Sequence, residues 1–289
     1  MALSRRWKLA IVALVLCCPS LFIPIPALAY LILAFLLWIS SNPERRTAAL
    51  VVLAVYWPTL FILAHIPIPR LVRSAEVSDK ALHFLAYLIL TFLLWFVFNP
   101  DRKVRRRKAA FCWVVLVAAI YGVVDEVLQG YVGRSCDVTD FGADLVGVLT
   151  GLIVLSLFSF WPAATVVLGI VIFGLSNVAR VNPAELLPLT NAMFHLFAYA
   201  GLTFLWIRCI SPVASLKPPG PKWMMAAPAL PVALLLAVKG YSARLGRGFG
   251  IQEVILSVAG IAVVVGIVWA TSYLRRGRLK TQEPSPDDN

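Results

Sequence analysis

Apolar residues fill this chain in runs of roughly 15 to 20, without strand-like alternation, and short polar breaks separate the runs. Runs of this kind predict membrane-crossing helices, because hydrocarbon offers the backbone no hydrogen-bond partner outside its own segment. Ten spans are expected, at 7–24, 26–41, 48–66, 81–98, 109–128, 139–160, 162–178, 191–209, 225–240 and 251–273. Several are short for a hydrocarbon layer of about 30 Å, which calls for little tilt or for local thinning. The expected fold class is all-α: a polytopic integral membrane bundle of about ten transmembrane helices.

Polar residues that such helices do not need gather between His83 and Gly151. Asp79 and Lys80 precede His83, Tyr87 and Thr91, which follow at four-residue steps and so share one helix face. The next apolar run ends in Asp125, Glu126 and Gln129. Arg134 and Asp137 occupy a short break, and Asp140 and Asp144 then share a face with Gly147 and Gly151. That small-residue spacing lets a helix pack closely on a neighbour.

Repetition organises the rest. Residues 28–38 (LAYLILAFLLW) differ from residues 85–95 (LAYLILTFLLW) at one position, and each run is followed by Asn-Pro, an acid and arginines. Arg5, Arg6 and Lys8 before the first apolar run resemble a signal peptide, but this repetition favours a retained helical hairpin. At a spacing of 112, His195, Tyr199 and Thr203 repeat His83, Tyr87 and Thr91. At 113, Arg247, Glu253 and Gly260 fall opposite Arg134, Asp140 and Gly147, while Lys239, Ser242 and Ser257 replace Glu126, Gln129 and Asp144. Four helices separate the copies, so the two units are expected to lie parallel. The expected organisation is an N-terminal hairpin (1–47), a four-helix unit (48–161), a degenerate second unit (162–274) and a cytoplasmic tail (275–289).

Composition agrees with the membrane reading. The chain is 61% hydrophobic and 14% charged, with a mean hydropathy of +0.86, whereas soluble domains are about 45–50% apolar and about 25% charged. The net charge of +12 is explained by placement rather than by nucleic acid. With both termini cytoplasmic, most Lys and Arg fall on the cytoplasmic side, as the positive-inside rule requires. The polar stretch then sits at the outer leaflet. Five cysteines form no disulfide or zinc pattern.

Two chemistries suit the polar stretch. One is a structural network of ion pairs, with Asp137 or Asp140 capping the helix that follows. The other is a site in which Arg134 and a helix N-terminus hold an anionic group while Glu126, Asp140 or His83, the catalytic candidates, handle a proton. His65, His83 and His195 fall at helix ends on the same side, but no ligand spacing supports a metal, and no cofactor is expected.

As an ordered set, His83 to Tyr87, Glu126 to Gln129, Arg134, Asp140, Gly147 and Gly151 resemble the motifs of the VanZ-like family, named for a teicoplanin-resistance accessory protein. The resemblance covers about 75 residues, and the chain differs at Asp144, where members usually carry Asn. It implies a polytopic membrane protein linked to the glycopeptide response. The expected ligand-binding residues are His83, Tyr87, Glu126, Gln129, Arg134, Asp140 and Asp144. The expected partners are membrane lipid and a lipid-linked or cell-wall precursor, in a bacterial cytoplasmic membrane. An enzyme acting on such a precursor and a transporter are the alternative readings. Oligomeric state is left open.

Overall fold

The computed structural model describes residues 45–65, 78–98, 108–132, 136–178, 188–212, 216–246 and 250–281. Eight helices and no strand lie among them: α1 (Arg45–His65), α2 (Asp79–Phe98), α3 (Lys108–Tyr131), α4 (Val138–Leu157), α5 (Phe160–Asn177), α6 (Pro188–Ile210), α7 (Pro221–Arg244) and α8 (Ile251–Thr281). Helices α2 to α8 are long and apolar enough to cross a membrane, and α1 carries a shorter apolar stretch. All eight fall where spans are expected. The two N-terminal spans, 7–24 and 26–41, lie outside the described residues, so the described helices number eight against an expected ten. Helix α8 continues to Thr281, past the expected end of its span, because a basic run ends the apolar stretch without ending helical hydrogen bonding.

Helix α2 is the centre of the bundle: 72% of its span is buried, against 17% for α8. Its sequence explains this position, since from Leu85 to Val97 it carries almost continuous large apolar side chains, broken by Thr91 and the Tyr87 hydroxyl. A helix apolar all round is best buried by neighbours on every side. Tyr56 of α1 donates its hydroxyl to the Ala86 carbonyl at 2.8 Å. On another side Phe92 and Phe96 meet Phe160 of α5. The aromatic chain continues through Trp161 to Phe204 of α6, joining the two halves of the bundle.

Two glycines let helices touch backbone to backbone. A Cβ on Gly147 would fall on the Phe84 carbonyl and 3.1 Å from the Leu88 nitrogen, so α4 lies directly against α2. A Cβ on Gly260 would meet the Leu196 carbonyl and come within 3.2 Å of the Ala200 nitrogen, so α8 lies against α6 in the same way. The atoms met are backbone and cannot rotate aside. Gly147→Ala is therefore expected to destabilise the protein by about 1–3 kcal/mol through overpacking. Gly142→Ala, whose Cβ meets nothing within 4 Å, is its control, neutral or stabilising by about 0.5–1 kcal/mol through helix propensity. Thermal unfolding in detergent distinguishes them.

At one end of the bundle the C-termini of α1, α3, α5 and α7 meet the N-termini of α2, α4, α6 and α8. Ser78 donates its backbone N–H to the Val178 carbonyl at 3.2 Å there, tying the start of α2 to the end of α5. The polar residues of both halves lie at this end.

Candidate functional site

Each polar residue is placed by the end of a helix. Asp137 is the N-cap of α4: its backbone is extended and its side chain accepts from the Thr139 N–H at 2.8 Å. That hydrogen bond, with the Thr139 hydroxyl and then Lys80, holds the Asp137 carboxyl below the usual carboxylate range. Of the two capping candidates it is therefore Asp137 that caps. Asp140 lies one turn on, buried in the first turn of α4, where the helix dipole favours an anion.

His83 stands at the centre. Its Nδ1 lies 2.9 Å from Asp144 Oδ1 and 3.9 Å from Glu126 Oε1. All three residues are buried, at 8%, 1% and 4% exposure. Glu126 crosses from α3 to α4, its Oε2 accepting the Asp137 backbone N–H at 3.0 Å. Asp79, His83 and Asp140 form a second, overlapping group. The imidazole is thus ringed by Asp79, Glu126, Asp140 and Asp144. Lys80 reaches Asp137 at 3.4 Å and Asp140 at 3.7 Å, but its side chain is 56% exposed. A pair so exposed contributes little.

Several carboxylate oxygens are incompletely used. Glu126 Oε1, Asp140 Oδ1 and Asp144 Oδ2 are buried and have no hydrogen-bond partner among the described residues. A buried acceptor left unsatisfied costs about 1–3 kcal/mol, so a network serving stability alone would be expected to fill them. Dipole and capping arguments explain Asp137 and Asp140 at a helix N-terminus. They do not explain Glu126, near the C-terminal end of α3, where the dipole disfavours an anion.

His83, Glu126, Asp140 and Asp144 come together as the sequence suggests. Gln129 lies beside them, donating to Asp125 Oδ2 at 2.9 Å rather than to the His83 group. Tyr87, one turn deeper, is fully buried and stacks on Tyr121 with ring centroids 5.8 Å apart. Arg134 lies outside the described residues. Asp79, Asp125 and His65 join the cluster without having been singled out as ligand-binding residues; His65 Nδ1 approaches Asp125 Oδ1 at 3.8 Å. The four-residue steps from Asp79 to His83 and from Asp125 to Gln129 were the available signal.

The second half carries a different set at the same end. His195 Nδ1 lies 3.1 Å from the Ser257 hydroxyl, where His83 meets Asp144. Glu253 accepts from Asn191 at 2.7 Å and is paired with Lys239, both partners being buried. Glu253 Oε2 also lies 3.8 Å from His195 Nε2.

A family model described as VanZ/LLP1 matches residues 21–159, the part of the chain that carries the His83 cluster. No curated protein and no solved structure matches the chain.

Proposed function

Since residues 21–159 make this chain a VanZ-like integral membrane protein, we propose that its His83 cluster is an outward-facing pocket for a lipid-linked cell-envelope molecule. The observation that carries this reading is the set of buried acceptors on Glu126, Asp140 and Asp144 that have no hydrogen-bond partner among the described residues. Carboxylate oxygens with free lone pairs suit the hydroxyl and amine donors of a sugar or wall precursor. Arg134, in the adjoining segment, would take its phosphate. The excess of Lys and Arg on the opposite side supports the outward orientation. A cleft of about 630 Å³ between α1 and α3, lined by Leu53, Trp57, Phe61 and Tyr121 among others, suits a hydrocarbon chain. By this reading the protein influences the envelope and glycopeptide response through what it binds.

The test is binding of a polyprenyl diphosphate-linked amino sugar to the protein in lipid nanodiscs. Glu126→Gln and Asp140→Asn are expected to weaken binding at least about tenfold, the equivalent of about 1.4 kcal/mol. Binding unchanged by both would remove the cluster from the ligand site. One geometric feature favours a second reading, an enzyme: Asp144 holds the His83 imidazole at 2.9 Å, as a carboxylate orients a general base. In that case Glu126→Gln abolishes turnover of the same compound. A transporter is suggested only by the parallel repeat, and that reading fails if reconstituted protein moves no candidate solute across vesicles.

A further inference from the structure

The two polar clusters differ in how charge is balanced, and the difference has a position. Lys239 lies 113 residues after Glu126, Glu253 lies 113 after Asp140, Ser257 lies 113 after Asp144, and His195 lies 112 after His83. In the second cluster the Lys239 ammonium is buried against Glu253, with His195 beside that carboxylate. At the position 113 residues before Lys239 the first cluster carries a carboxylate, Glu126. Among the described residues, the cationic groups that Glu126, Asp140 and Asp144 meet are His83 and the exposed Lys80, while His65 faces the neighbouring Asp125.

Even a fully protonated His83 leaves the buried trio of His83, Glu126 and Asp144 with a net negative charge. Burying an uncompensated charge is expensive, and proteins meet the expense by pairing, by protonation or by metal coordination. The second cluster uses pairing, with a cation carried on its own chain. We propose that the first cluster uses coordination: His83, Glu126 and Asp144 hold one divalent cation.

The geometry fits. One ligand atom from each of the three residues lies within 4.8 Å of the others. A cation about 2.1 Å from each ligand separates adjacent donors by about 3.0–3.4 Å and opposite donors by about 4.2 Å. The separations of His83 Nδ1 from Asp144 Oδ1 and Glu126 Oε1, 2.9 and 3.9 Å, lie close to that range. Glu126 Oε1, which has no hydrogen-bond partner among the described residues, supplies one lone pair, and Asp144 offers either oxygen, its Oδ2 being likewise without such a partner. The Glu126 Oε2 bond to the Asp137 N–H orients the ligand from outside, as supporting hydrogen bonds do in metal sites. One imidazole with carboxylates suits manganese, iron, cobalt or zinc, whereas an all-oxygen set would suit magnesium or calcium. The inference does not depend on the lipid-linked ligand, because the cation is held by protein groups alone.

The full-length protein, purified in detergent and stripped with a chelator, is titrated with Mn²⁺ or Zn²⁺ and no envelope lipid. Binding of a single equivalent per chain is expected, with a rise in thermal midpoint. Bound Mn²⁺ should show nitrogen hyperfine coupling that His83→Gln removes. Glu126→Gln and Asp144→Asn should weaken binding about tenfold or more. Glu126→Lys, which copies the second cluster, should abolish binding while leaving a folded protein whose midpoint no longer responds to the cation. Wild-type protein that binds neither ion, or binding that persists unchanged in Glu126→Lys and Asp144→Asn, would overturn the proposal. The wild-type titration decides even if a variant fails to fold.

Discussion

Replacing Lys239 with alanine is expected to destabilise the protein by about 3–5 kcal/mol, the loss typical of breaking a buried ion pair by removing one partner. Lys239 and Glu253 are 9% and 8% exposed, so water cannot replace the lost ammonium. Among the described residues, the groups left around the Glu253 carboxylate are Asn191, donating at 2.7 Å, and His195 at 3.8 Å. Neither carries a fixed positive charge, and His195 already shares its Nδ1 with Ser257. The destabilisation should therefore come chiefly from the stranded carboxylate. Lys239→Met with Glu253→Gln removes both charges and should recover most of the loss. A double-mutant cycle on thermal or denaturant unfolding in detergent measures the coupling. A simple sum of the single effects would show that the pair does not hold this end of the second half.

The same operation on the first cluster is expected to have the opposite consequence. Glu126→Gln removes one of several buried carboxylates around His83 and keeps an oxygen able to accept the Asp137 N–H. In chelator, with no cation present, the variant should unfold at or above the wild-type midpoint, because like-charge repulsion is relieved. Ligand binding should fall by about 2–5 kcal/mol, as when one partner of a buried charged contact is truncated. Gaining or holding stability while losing function is the signature of a site kept strained for a purpose. If Glu126→Gln instead lost stability as Lys239→Ala does, the first cluster would be a structural network like the second.

Much of this architecture is legible in the sequence, for physical reasons. Lipid leaves the backbone one economical solution, so long apolar runs identify α2 to α8 and even their order along the chain. Four-residue steps place His83 and Tyr87 on α2, and the Asp140–Asp144–Gly147–Gly151 face on α4. Close approach by Gly147 follows from its missing side chain. What the sequence does not carry is distance between helices. Gln129 shares the expected region with Glu126 but turns to Asp125 at 2.9 Å, a choice fixed by rotation of α3. Ligand spacing along the chain shows no metal pattern, because His83, Glu126 and Asp144 come from three different helices. The 113-residue spacing that sets Lys239 opposite Glu126 is visible in the sequence, but the burial of the ammonium against Glu253 is not.

We propose one distinction between the two clusters: the His83 cluster serves a ligand, and the Lys239 cluster serves the fold. It is tested most directly by measuring antibiotic susceptibility and membrane abundance together, in cells lacking the native copy and challenged with envelope-directed antibiotics. The variants are Glu126→Gln, Arg134→Ala and Asp140→Asn, with Lys239→Ala for comparison. Normal abundance with lost protection in the first three, and lost abundance in the last, is the predicted result. Lost abundance in all four would contradict it and make both clusters parts of the scaffold.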